Sequence, residues 1–233
     1  MPNFNQRSYE PELMDDFEIT GQVIDQTLRE LDTINKLLGG NYVTINGLEK
    51  LIKNNQQELI IADIGCGSGD MLKLIANWGK KRNIKLKLIG IDANPYIIEF
   101  AKNNCKAFPE ISFIATNIFD DDFIKMKFDV IIATLFTHHF TEKALITLLN
   151  NAKEQCNLGI VINDLHRHWF AYYSIKFLTG WFSKSEMVKN DAAVSVMRSF
   201  KRKELIKILS ASTFTNYTLR WMWAFRWQLV IRT

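Results

Sequence analysis

The hydrophobic pattern changes rhythm partway along the chain. Ile24, Leu28, Leu31, Ile34 and Leu38 recur at spacings of four and three, which places them on one face of a helix spanning residues 12–38. Gly39-Gly40 closes that helix, because glycine takes the left-handed cap conformation cheaply. From residue 59 the signal becomes short apolar runs separated by helical spacings. Leu59–Ile64 reads as a buried strand running into a glycine turn, and Met71, Ile75 and Trp78 follow at helical intervals. Leu86–Asp92 is a second strand. Asn94 caps the next helix, with Pro95 at its first position and Ile97, Ala101 and Cys105 along it. Ile111–Ala115 and Phe128–Leu135 are the third and fourth strands. Thr141 caps a helix bearing Leu145, Leu148, Leu149 and Ala152, and Gly159–Asn163 is a fifth strand.

Strand and helix alternating five times predict an α/β, Rossmann-like, doubly wound sheet with helices on both faces. Residues 216–232 depart from that rhythm. They read as two strands with almost no connector, and Phe225, Trp227, Leu229 and Ile231 share one face. Two adjacent strands without a helix make an antiparallel pair at the sheet edge, so a seven-stranded, mostly parallel sheet with a reversed edge strand is expected. Residues 1–45 are expected to form an N-terminal helical flap over the site. Residues 46–233 would form the core, with an aromatic-rich insertion at 165–198.

Composition narrows the function classes. Hydrophobic residues make up 47% and charged residues 23%, enough to bury a full core, which excludes disorder. The net charge of +4 is too small and too dispersed for a dedicated nucleic-acid binder, and no nucleic-acid partner is expected. Three distant cysteines, Cys66, Cys105 and Cys156, give neither a zinc spacing nor a disulfide framework, so a reduced, cytoplasmic protein is expected. No apolar run approaches the ~20 residues of a spanning helix.

The candidate chemistry begins at the first strand. In open α/β sheets, ligands bind beyond the carboxyl ends of the strands at the switch point. The turn Gly65-Cys66-Gly67-Ser68-Gly69 lets a ligand approach the backbone, and Asp92 at the end of strand two can accept both hydroxyls of a ribose. The spacing is G-x-G-x-G, which is not the dinucleotide fingerprint, and no GK[ST] follows as in a P-loop. A nucleoside cofactor without a pyrophosphate fits this shorter turn.

Asp63-Ile64-Gly65-Cys66-Gly67-Ser68-Gly69 together with Gly90-Ile91-Asp92 resembles the class I S-adenosylmethionine-dependent methyltransferases, over roughly residues 59–165. The resemblance implies S-adenosylmethionine as cofactor and S-adenosylhomocysteine as product. It implies that Asp63 and the turn (Gly65, Cys66, Gly67, Ser68, Gly69) hold the methionine portion and that Asp92 binds the ribose. It further implies that Ala93 lies along the adenine, and that Ala133 and Thr134 pass beside the sulfonium. Where the family commonly has Asp and an apolar residue against the adenine, this chain has Asn117-Ile118. Arg7 is expected to meet the cofactor carboxylate.

All four histidines, His138, His139, His166 and His168, lie in the loops after strands four and five, on the ligand side of the sheet. An imidazole near its ordinary pKa of ~6.5 suits removal of a proton from a phenol of pKa ~10. His139, His166 and His168 are therefore the catalytic candidates, with Asp164 or His168 orienting. A helix-capping role is the plainer reading of His138-His139. No metal is expected, because no second acid is visible after strand four. Residues 169–182 hold seven aromatics in fourteen positions, which suits a flat acceptor, core packing, a homodimer face or contact with a membrane surface. The expected reaction is O-methylation of a small phenolic or other aromatic metabolite. Alternatives are C- or N-methylation of a quinone precursor or RNA, and a cofactor-binding module without catalysis. Ala133-Thr134-Leu135-Phe136 stands where base-amino methyltransferases carry an N-P-P-Y type motif, which argues against that chemistry.

Overall fold

A computed structural model describes residues 2–53, 57–212 and 214–233. The strands are β1 (Leu59–Ile64), β2 (Leu86–Asp92), β3 (Ile111–Ala115), β4 (Phe128–Thr134), β5 (Cys156–Leu165), β6 (Tyr217–Met222) and β7 (Arg226–Arg232). They form one sheet in the order β3-β2-β1-β4-β5-β7-β6. The first five are mutually parallel, and β7 runs antiparallel between β5 and β6. The strand order reverses between β1 and β4, so the switch point lies there.

The continuous apolar strands feed two cores. Ala62, Ile64, Ile131, Ala133, Ile160 and Ile162 face one side, where they pack with α6 (Glu142–Gln155) and α9 (Arg202–Ala211). Their neighbours Ile61, Val130, Ile132 and Val161 face the other side. There they pack with α2 (Gly40–Leu51), α3 (Asp70–Arg82) and Ile98 of α4 (Pro95–Asn104). Burial of both faces is why these strands read as unbroken hydrophobic runs. Trp227, Leu229 and Ile231 join the first core as expected. Phe225 does not, because it lies in the β6–β7 turn with a positive φ of 52°.

The N-terminal region differs from the single helix expected over 12–38. It consists of a 3-10 turn at Leu13–Asp15, α1 (Gln22–Leu37) and, straight after Gly39, α2. The expected boundary at residue 45 falls inside α2, whose Leu48 packs in the sheet core. Ile24 and Leu28 of α1 form a small separate cluster with Ile97 and Met187. Beyond β5 lie α7 (Trp169–Phe182) and α8 (Glu186–Arg198), and α5 (Asp121–Ile124) is a single turn before β4. The core-packing reading of the aromatic run is overturned. Phe177 is 59% exposed, Trp181 75% and Phe182 77%, and Thr179 is the one buried residue of α7.

Candidate active site

The glycine turn sits at the carboxyl end of β1, beside the switch point. Gly65, Gly67 and Gly69 all have positive φ, which lets the chain turn tightly into α3. At Gly65 a Cβ would lie 2.2 Å from the Phe136 ring, so that position needs glycine on steric grounds as well. Phe136 reaches there because Leu135, just beyond β4, adopts a left-handed φ of 53°. Above Gly67 the nearest side chain is Leu28 of α1, at 3.8 Å from a Cβ built there. Helix α1 therefore lies over the turn.

Two carboxylates face this turn. Asp92 accepts from the Gly67 N–H (3.3 Å) through Oδ2 and from the Asn94 N–H (3.0 Å) through Oδ1. Asp63 is 2% exposed, and its Oδ1 has no hydrogen-bond partner among the described residues. Burial, and then the nearby Asp92 charge, push the Asp63 carboxyl up to about 8. A buried acid with an unused oxygen beneath a glycine turn lacks a donor, and the ammonium of an amino-acid moiety would supply one. That orphaned oxygen and the open backbone at Gly67 fit S-adenosylmethionine.

The remaining predicted contacts vary. Thr134 is half-buried, and its Oγ1 lies 2.9 Å from that of Thr44 on α2. Ser68 Oγ donates to Asp70 (2.6 Å), and Cys66 is buried, its thiol pushed well up by burial and the two aspartates. Ala93 and Asn117 are exposed. Asn117 Oδ1, expected to receive an adenine amine, already accepts from the Phe119 N–H (3.0 Å). Ile118 (5% exposed) and Ala133 (1%) pack their side chains into the sheet core. Arg7 does not meet the cofactor carboxylate. Its guanidinium is spent on the main-chain carbonyls of His138, Phe140 and Arg198 and stacks on Phe200.

The four histidines form two pairs rather than one site. No hydrogen bond, ion pair or ring contact joins the pairs among the described residues. His138 and His139 lie in the loop after β4 with ring centroids 4.4 Å apart and planes tilted by 31°. His138 is buried, with Nδ1 2.7 Å from Asp164 Oδ1. Burial disfavours its imidazolium, but Asp164 and Glu12 outweigh that and raise it to about 10. A group that stays protonated to that pH is no general base near neutrality. His139 is partly exposed, with Nδ1 2.8 Å from Asp15 Oδ1. His166 and His168 sit instead toward the reversed strand. His166 packs on Trp227 and feels His168, Lys201 and Arg167, while His168 stacks on Phe225 and caps α7 through Nδ1. Burial lowers His166 to about 4.

Sequence reasoning missed the acidic side of this site. Glu12 and Asp15 come from the N-terminal 3-10 turn, which Asp191 of α8 holds by accepting from the Leu13 and Met14 N–H groups (2.8 and 3.0 Å). Arg198 ties the same turn to the histidine loop, through Asp15 (2.6 Å) and the His139 carbonyl (2.9 Å). The sequence shows no second acid after β4, and the carboxylates beside these histidines lie elsewhere in the chain. The acids arrive from the N-terminal 3-10 turn and from β5, and only folding brings them to the loop after β4.

Residues 61–159 match the family model described as a methyltransferase domain. No curated protein matches the sequence. Among solved structures, the plantazolicin methyltransferase BpumL in complex with S-adenosylhomocysteine is similar at TM-score 0.59 and 24% identity, over 84% of this chain and 72% of that one. A SAM-dependent methyltransferase from Aquifex aeolicus is similar at TM-score 0.61 and 13% identity, over 88% and 96%. The chain spans only 57% of a similar Nostoc punctiforme PCC 73102 protein and 49% of the citrinin polyketide synthase CMeT domain. Identities this low speak for the fold, and the family match falls on the segment that carries the glycine turn and Asp92. The methyltransferase-domain match over residues 61–159 and the shared fold agree with the class I, S-adenosylmethionine-dependent methyltransferases that the glycine turn and Asp92 resemble.

Proposed function

We propose that the protein transfers a methyl group from S-adenosylmethionine to the hydroxyl of a small aromatic acceptor. The observation that carries cofactor use is the buried, partnerless Asp63 oxygen beneath the glycine turn, with Asp92 alongside. The sulfonium supplies an activated methyl, so the protein's work is alignment and removal of the acceptor's proton. His139 is the partly exposed member of its pair, and Asp15 fixes its ring through Nδ1. With Nδ1 so engaged, Nε2 is the ring nitrogen left to act, and His139 is the group we assign to activating the hydroxyl. The aromatic rings exposed along α7 support a flat, apolar acceptor and a surface able to receive it. BpumL and the magnesium protoporphyrin IX methyltransferase of Synechocystis PCC 6803 share the fold and are named for organic acceptors, which agrees with a small-molecule substrate.

The test is turnover of labelled S-adenosylmethionine against a panel of hydroxylated aromatics. Loss of an activating group typically costs 10²–10⁴-fold in rate. His139→Ala is expected to lower kcat by about that range while cofactor affinity holds, and His166→Ala to retain most activity. Equal rates for both variants would remove His139 from the mechanism.

A further inference from the structure

The loop after β4 and the N-terminal 3-10 turn meet in a cluster with the form of a metal site. Both imidazoles are oriented by a carboxylate at Nδ1: Asp164 at 2.7 Å for His138 and Asp15 at 2.8 Å for His139. That leaves both Nε2 atoms turned toward a third carboxylate. Glu12 Oε1 is 3.3 Å from His138 Nε2, and Glu12 Oε2 is 3.9 Å from His139 Nε2. One donor atom from each of the three residues lies within 4.8 Å of the others. His138 is 2% exposed, yet its Nε2 makes no hydrogen bond, because the nearby Glu12 oxygen is out of line.

We propose that Glu12, His138 Nε2 and His139 Nε2 together bind a divalent transition-metal ion, zinc first among them. A metal-bound histidine almost always gives its other ring N–H to a carboxylate, a backbone carbonyl or water, and here both Nδ1 atoms face a carboxylate. An ion binding at His138 Nε2 displaces the proton held there and releases it to solvent. Ligand bonds of ~2.0–2.2 Å hold neighbouring donors roughly 3.0–3.5 Å apart. The Glu12 to imidazole distances of 3.3 and 3.9 Å lie at or just beyond that range, and all three donors fall within 4.8 Å. Two imidazoles with one carboxylate favour a transition metal over magnesium, which prefers an all-oxygen shell. Glu12 is itself oriented, since Ser195 Oγ donates to its Oε1 at 2.9 Å. Arg198 Nε lies 4.0 Å from the same oxygen but spends its Nη1 on Asp15, so it braces the orienting carboxylate. Three protein ligands leave a coordination position open, and His139 is the ligand that reaches solvent.

The consequence for methyl transfer rests on the function proposed above. With the ion bound, His139 would serve as a ligand, and the acceptor hydroxyl would be acidified by the cation instead of losing its proton to Nε2. Metal binding itself does not depend on that reading.

The experiment is direct. Full-length protein, stripped with EDTA and desalted, is titrated with Zn²⁺ against a chromophoric chelator and with Co²⁺ by visible absorption. One ion per chain is expected, with ligand-field bands for Co²⁺. His139→Ala and Glu12→Gln should weaken Zn²⁺ binding at least ~10-fold, and Asp15→Asn, which touches no metal, by ~10–100-fold. Circular dichroism checks the fold of each, and the partly exposed His139 makes its variant the safest. No stoichiometric binding by the parent protein, or equal binding by the parent and all three variants, overturns the site and leaves a buried imidazolium–carboxylate pair in its place. Because no turnover is read, such a result leaves the proposed methyl transfer standing.

Discussion

Asp63 shows how one residue can be expensive in the free protein and useful in the loaded one. Its carboxyl is raised to about 8 by burial and by Asp92, so the folded chain holds a proton there that the unfolded chain releases near pH ~4. Stability from this group is therefore full below the ordinary carboxylate range and declines as pH rises toward about 8. An ammonium placed against Oδ1 reverses the preference and favours the ionised form. Cofactor binding near neutral pH is thus expected to release a proton, and affinity should rise between about pH 6 and 8. Calorimetry in two buffers of different ionisation enthalpy measures that proton. A binding enthalpy independent of buffer would separate Asp63 from the ammonium.

At the scale of elements, the N-terminal turn is fastened at few points. Asp191 is 4% exposed and accepts both the Leu13 and Met14 N–H groups. Replacing it with alanine removes both acceptors, at about 1–3 kcal/mol for charged hydrogen bonds of this kind. The sheet core lies elsewhere, so Asp191→Ala should leave its hydrogen-exchange protection intact. Exchange and protease cleavage before residue 20 should accelerate, and turnover should fall as Glu12 and Asp15 lose their placement. Unchanged protection of residues 12–16 would show that Arg198 and Arg7 suffice to hold the segment.

At the scale of the whole molecule, the end of α7 is left uncovered by the core. Trp181 and Phe182 end α7 largely in solvent, and no helix among the described residues is long and apolar enough to cross a membrane. An exposed aromatic helix of this kind suits contact with a bilayer surface or another apolar body. The double change Trp181→Ser/Phe182→Ser should cost less than ~0.5 kcal/mol of stability, as surface substitutions do. It should also reduce sedimentation of the protein with anionic vesicles. A large fall in Tm would show that these rings do pack, and unchanged sedimentation would remove the membrane role.

How far the sequence carries depends on how local each cause is. The strands, the Asn94 and Thr141 caps, the glycine turn and Asp92 were legible because alternation, capping and turn chemistry act over a few residues. The reversed final pair was legible because two strands without a helix have one simple arrangement. α2 was missed because Gly39-Gly40 reads as an end, although Gly39 also opens the next helix in the left-handed conformation. The histidines were legible as candidates but not as two separate pairs, because neighbouring loops need not point the same way. What only the tertiary structure decided is the company each residue keeps. Glu12 meets His138 and His139, Arg7 is consumed by carbonyls, and the rings of α7 stay outside. Contacts between residues this distant in the chain are set by how the N-terminal turn, β5 and α8 pack, and no local pattern records that.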